Sequence, residues 1–151
     1  MPAPPSQPRV WRWLKRSTGT VTALAALCLV HGLLAVMRYR QVCQLLIRLS
    51  PRPDGTRTEQ RRSVRALAGA VNAAADGFGF NCLRRSLVLW WFLRWRNLES
   101  VLRFGVNRDT AHVWVEYQGE VVNDVPDIAA RYAITYTEPL APDTITRMPI
   151  R

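Results

Sequence analysis

Histidine is scarce in this chain: there are only two, His31 and His112, and His31 lies inside an apolar stretch. Cysteine is nearly as sparse. The three thiols, Cys28, Cys43 and Cys82, are an odd number with no Cys-x-x-Cys and no Cys/His ligand spacing. That pattern indicates neither a disulfide framework nor a structural zinc site, and it suits a reducing cytoplasm. Cys28 and Cys43 sit in apolar helical surroundings and are expected to act as small core hydrophobes. Internal repeats are also missing. Acidic residues number 11 against 21 Lys and Arg, a net charge of +10. Such an excess raises the local concentration of any anion, so it admits a nucleic acid, a membrane surface or an acidic peptide as partner. The aromatics cluster in apolar helix instead of alternating with Arg on strands, which sets nucleic acid aside.

What is present describes a folded protein. Nearly half of the 151 residues are hydrophobic and six are Trp, enough for one modest core and an extension but not for two cores. Val21 to Met37 is mainly apolar, at the lower limit for crossing a bilayer, interrupted by His31 and Gly32 and basic at both ends. Ala23 to Cys28 offers no convincing small-x-small cleavage site followed by a mature start. A buried or membrane-grazing helix is expected, and membrane contact through 21–37 stays open.

The chain divides into a Pro-rich tail over 1–8, an N-terminal helical region and linker over 9–58, and a domain over 59–151. Val10 to Leu14 reads as a short amphipathic turn of helix, and Val21 to Leu49 as one or two helices ending at Ser50-Pro51. Pro51 to Gly55 is the best linker. Glu59 to Ala75 resumes helical spacing through Val64, Leu67, Ala68 and Val71, with Arg61, Arg62 and Arg65 as a solvated face. Asp76-Gly77-Phe78-Gly79 breaks it, Asn81 can cap the next helix, and that helix runs from Cys82 to about Arg96 as the central buried one. Val101 to Val106, Ala111 to Tyr117 and Glu120 to Val125 have strand composition, and Tyr132 to Tyr136 adds one more. The tail beyond, with Pro139, Pro142 and Pro149, reads as irregular. The fold class is α+β: N-terminal helices, then a helix packed on a small antiparallel sheet.

Cys82 therefore stands at a helix start, His112 on one strand and Asp124 near the next. A thiol attacks as the thiolate, and the unpaired amides and dipole of a helix start favour that form. The same amides, Cys82 N–H among them, can bind the oxyanion formed when sulfur attacks a carbonyl. His112 is the one strand histidine available as base. If Tyr117-Gln118-Gly119 is a three-residue loop, His112 falls opposite Asp124 on one face, close enough for a hydrogen bond. A two-residue Gln118-Gly119 turn would put Asp124 on the other face. Asp109, Glu116 and Asp127 are rivals to Asp124, which is best by geometry. Arg84 and Arg85 flank the thiol and, with Trp114, are candidate contacts for substrate or partner.

Cys82-Leu83-x-x-Ser86-Leu87-x-Leu89, then Leu102-x-x-Gly105-Val106, then Ala111-His112-x-Trp114-Val115-Glu116 with Gly119 and Asp124, resembles the transglutaminase-like leader peptidases of lasso-peptide biosynthesis. The resemblance covers about residues 60 to 125. It implies a papain- or transglutaminase-like core and a cysteine protease that hydrolyses the leader from a ribosomal precursor peptide, with Cys82 as nucleophile, His112 as base and acid, and Asp124 as the orienting carboxylate. No cofactor or metal is implied. The implied partners are the precursor's leader, a separate leader-recognition protein, and an ATP-dependent lasso cyclase that uses the freed amine. Val113 stands where the family commonly has Ala, and nothing in the first 80 residues looks like the winged-helix module that some members carry.

Overall fold

The computed structural model describes residues 9–51 and 61–138. The Pro-rich tail over 1–8, most of the expected linker and the irregular segment after 138 lie outside the described residues. Helix α1 (Arg9–Val36) is followed by α2 (Tyr39–Arg48), α3 (Arg61–Gly77) and α4 (Cys82–Trp95). Strands β1 (Ser100–Asn107), β2 (Thr110–Tyr117) and β3 (Glu120–Val121), the short helix α5 (Ile128–Arg131) and strand β4 (Ala133–Glu138) complete it. The strands form one antiparallel sheet in the order β3-β2-β1-β4.

The expected helix at Val10 to Leu14 is not separate: it is the start of α1, which runs unbroken into the apolar stretch. Ala23, Ala26, Leu27 and Val30 recur at helical spacing and bury one face of α1 in the core shared with α2, α3 and α4. The core is thus continuous across residue 59, since Leu27, Val42 and Leu46 belong to the same cluster as Val64 and Leu87. The opposite face of α1 is open, with Val21, Leu29 and Val36 exposed. Gly19–Val36 is long and apolar enough to cross a membrane by length and composition, with 22% of that window buried. Cys28 lies on the open face and is exposed, in contrast to the core role expected for it. Its position follows from the helical period, which places it one residue past the buried Leu27. Cys43 is buried as expected.

Central helix α4 starts at a true cap: Asn81 Oδ1 accepts a hydrogen bond from the Arg84 amide at 3.2 Å. Leu87, Val88, Leu89, Trp90 and Leu93 are fully buried. The helix packs on the face of the sheet that carries Leu102, Phe104, Val113, Val115 and Tyr117. His112, Trp114 and Glu116 occupy the other face of β2 because strand side chains alternate.

Candidate active site

Two contacts fix how α4 lies along β2. Ser86 Oγ donates to the Val113 carbonyl at 2.9 Å, and one turn later Trp90 Nε1 donates to the Ser100 carbonyl at 3.3 Å. Ser100 pairs with Tyr117 at the far end of β2. The helix therefore runs in the direction of β2, and its N-terminus points to the end of the strand where His112 sits. Cys82 lies one turn before Ser86 on the same helical face, about 6 Å along the axis. It is partly buried against the core.

His112 Nε2 and Asp124 Oδ2 are 2.7 Å apart, with side chains 18% and 16% exposed. This pairing forms even though the hairpin is not the one expected. The turn is the two-residue Gln118-Gly119, with φ of 51° and 76°, and it pairs Tyr117 with Glu120 and Glu116 with Val121. Two consecutive positive φ values are the signature of the mirror-image turn whose twist matches a hairpin. Continued regularly, this register would place Asp124 opposite Val113 and turn it away from His112.

The strand does not continue. The Val122 amide still donates to the Val115 carbonyl at 3.0 Å, but the Val115 amide donates to Asn123 Oδ1 at 2.8 Å instead of to a backbone carbonyl. The chain leaves the ladder there, β3 ends at Val121, and Asp124 comes round to His112. Its second oxygen accepts from the Val125 amide at 2.8 Å, so both carboxylate oxygens are held. With Nε2 committed to Asp124, Nδ1 is the imidazole nitrogen left for other chemistry.

The imidazole plane is also fixed. Tyr132 stacks beside it with centroids 5.3 Å apart, and Trp114 lies at 6.4 Å. Gly105, opposite His112 on β1, makes this possible: a Cβ there would fall 2.6 Å from Tyr132 Cβ and 2.9 Å from the Trp114 ring. Trp114, expected as a substrate or partner contact, is fully buried and donates through Nε1 to Glu116 at 3.0 Å. Glu116 also accepts from Arg103 Nε at 2.9 Å. Of the rivals to Asp124, Glu116 is thus engaged elsewhere, and Asp127 pairs with Arg131 at 2.6 Å. That guanidinium, through a hydrogen bond to the side chain, holds the Asp127 carboxyl below its usual range.

Arg84 and Arg85 stand in the first turn of α4, both partly buried. Arg85 pairs with Asp76 at 3.3 Å. Beside Asp124 lies an open groove of about 470 Å³ lined by Arg65, Asn72, Arg85, Val122, Val125 and Pro126 among others. Arg61 and Arg65 were expected on a solvated face. They are exposed, and both reach Glu120 on the hairpin. Among the described residues, no three His, Cys, Asp or Glu side chains cluster as a metal site requires. Ser86, Asn123, Gly105 and Tyr132 were not singled out for a role from sequence. Gly105 and Ser86 fall within the family-like motifs, and Asn123 directly precedes Asp124.

The structure thus pairs His112 with Asp124 and sets Cys82 at the capped start of the buried helix that runs along the same strand, on an α+β frame of helices and a small antiparallel sheet. Residues 27–137 match the Transglutaminase-like superfamily, and the chain belongs to it. The matched span begins inside α1 and so includes helices that sequence alone sets apart from the domain. Activity of the cysteine protease or acyltransferase type goes with that membership. No curated protein and no solved structure matches the chain.

Proposed function

We propose that the protein is a leader peptidase of lasso-peptide biosynthesis, a cysteine protease that hydrolyses the leader from a ribosomal precursor peptide. The pairing of His112 with Asp124 at 2.7 Å, at the end of β2 toward which the N-terminus of the Cys82 helix runs, is the observation that carries the thiol-protease chemistry of this reading. In this reading Cys82 attacks the scissile carbonyl as the thiolate, and the helix-start amides, including that of Cys82, hold the developing oxyanion. His112 Nδ1 takes the thiol proton and returns it to the leaving amine, so the peptide C–N bond breaks as the thioester forms. Water, deprotonated by the same imidazole, then releases the acyl fragment. Asp124 keeps the ring oriented and stabilises the imidazolium.

The groove beside Asp124, with Arg65 and Arg85 in its wall, suits an acidic stretch of leader. A separate leader-recognition protein presents the precursor, and an ATP-dependent cyclase consumes the freed amine. Free thiols fit a cytoplasmic setting, and the open apolar face of α1 is the surface that would meet a membrane. Incubation of precursor and leader-recognition protein with wild type or Cys82→Ala tests the reading by mass spectrometry. Two fragments with wild type and intact precursor with Cys82→Ala are expected. Equal cleavage by both refutes it, and an amine adduct in place of fragments would assign acyl transfer to the same three residues.

A further inference from the structure

One buried amide joins the three chain segments that carry Cys82, His112 and Asp124. Asn123 is 4% exposed. Its Oδ1 accepts from the Val115 amide at 2.8 Å, its Nδ2 donates to Ser86 Oγ at 2.8 Å, and the Ser86 hydroxyl in turn donates to the Val113 carbonyl at 2.9 Å. The backbone carbonyl of Asn123 accepts from Asn72 Nδ2 on α3 at 2.9 Å. Ser86 lies one turn after Cys82, Val113 follows His112, and Asn123 precedes Asp124.

The bonding has a consequence for register. In an unbroken ladder, the Val115 amide would donate to the Val122 carbonyl, and Asp124 would face the helix side of the sheet. Asn123 supplies a side-chain oxygen in place of that carbonyl. The amide is thereby satisfied without the strand, and the backbone is released at the residue where it must turn if Asp124 is to reach His112. A buried amide bonded to nothing else could not hold this position, since each unmet polar group would cost as much as the contact gains.

We propose that Asn123, acting through Ser86, is a positioning residue that breaks the β2–β3 ladder, delivers Asp124 to His112 and fixes the Cys82 helix to the same strand. The consequence for activity rests on the thiol-catalyst reading, whereas the pairing of His112 with Asp124 can be observed without any substrate. A purely space-filling role predicts lower stability with the pair intact.

The test uses the full chain in a Cys28→Ser background, comparing Asn123→Ala, Ser86→Ala, Ser86→Thr and Asp124→Ala. Proton NMR detects the downfield ring N–H of His112 in its hydrogen bond to Asp124, assigned by its loss in Asp124→Ala. Iodoacetamide, with peptide mapping of Cys82, reports nucleophilicity at neutral pH, and thermal unfolding confirms that each variant is folded. Wild type and Ser86→Thr, which keeps the hydroxyl, are expected to show the resonance. Asn123→Ala and Ser86→Ala should lose it, and their Cys82 alkylation should fall to the Asp124→Ala rate, about tenfold below wild type. If Asn123→Ala does not fold, Ser86→Ala decides on the same readouts. A folded Asn123→Ala or Ser86→Ala that retains the resonance overturns the proposal. If Asp124→Ala is alkylated as fast as wild type, the catalytic reading loses support while the resonance alone still decides the role of Asn123.

Discussion

Gly105→Ala should damage this protein out of proportion to the single methyl group it adds. The new Cβ would lie 2.6 Å from Tyr132 Cβ and 2.9 Å from two atoms of the Trp114 ring. Ordinary carbon contacts are about 3.5–4.0 Å, so something must move by close to an ångström. Neither neighbour yields cheaply. Tyr132 Cβ is bound directly to the main chain, and Trp114 is fully buried with its Nε1 committed to Glu116. The β1–β4 ladder already shifts register between Phe104 and Gly105, so the backbone there has little freedom to relax in a compensating way. Overpacking of this kind costs about 1–3 kcal/mol, which for a chain of this size lowers the thermal midpoint by about 2–12 °C. Because His112 stands opposite Gly105 and stacks on Tyr132, the imidazole should be displaced as well, and turnover should fall more steeply than stability alone explains. Thermal unfolding followed by circular dichroism, together with the precursor-cleavage assay of the proposed function run well below the midpoint, reads both effects. A Gly105→Ala protein with the wild-type midpoint and wild-type turnover would refute the claim that the missing side chain is what lets Tyr132 and Trp114 set the histidine plane.

Asp124→Ala removes the orienting carboxylate but little packing. Cleavage is expected to fall by about 10²–10⁴ while stability drops by only about 1 kcal/mol, read by initial rates and urea unfolding. Asn81→Ala deletes the cap of α4 and should cost about 0.5–2 kcal/mol in the same urea experiment, against no change if the cap were ornamental. The hydrogen bond from the Arg131 side chain holds the Asp127 carboxyl below the usual carboxylate range, so its contribution to stability is present above the unfolded carboxylate range and lost as pH falls through the folded one. Arg131→Ala should therefore be slightly less stable than wild type at neutral pH, and the two should converge in acid once Asp127 is protonated in both, when unfolding is followed against pH.

Much of the site was legible because its signals are local. Asn81 is a residue that caps well, and the apolar run after it extends over more than one helical face, so a buried helix beginning at Cys82 follows from short-range chemistry. The strands of β1 and β2 announce themselves by valine and aromatic alternation. The hairpin differs from the three-residue loop expected from sequence for a physical reason. Gly119 was expected to supply the only left-handed residue, but Gln118 takes φ of 51° as well. A side chain normally resists that conformation, and here the twist of the paired strands and their hydrogen bonds outweigh the local preference. The length of β3 was overestimated for a related reason: Glu120 to Val125 has strand composition throughout, and what ends the strand is a buried side-chain amide whose partners, Ser86 and Val115, lie far away or on another strand. Trp114 was placed wrongly because alternation tells which face a residue occupies but not whether a later segment, here Tyr132, will cover that face.

The tight turn, the short β3 and the covered face of β2 all bear on how the site is built. Regular pairing would have used the polarity of the strand backbone to hold β3 and would have turned Asp124 to the face opposite His112. Substituting a side-chain oxygen for one carbonyl keeps the amide of Val115 satisfied while freeing the chain to cross from one face of the sheet to the other. Such a crossing has to occur next to a rigid anchor, since a loose loop would let the carboxylate wander over distances that matter for proton transfer. Asn123 meets that need from three directions: Val115 on the neighbouring strand, Ser86 on the thiol-bearing helix, and Asn72 on α3 holding the backbone carbonyl. The carboxylate is therefore positioned by the packed body of the protein even though it sits in an irregular segment, and the two-residue turn that seemed to forbid the His112–Asp124 pair is compatible with it because the ladder is interrupted one residue before Asp124.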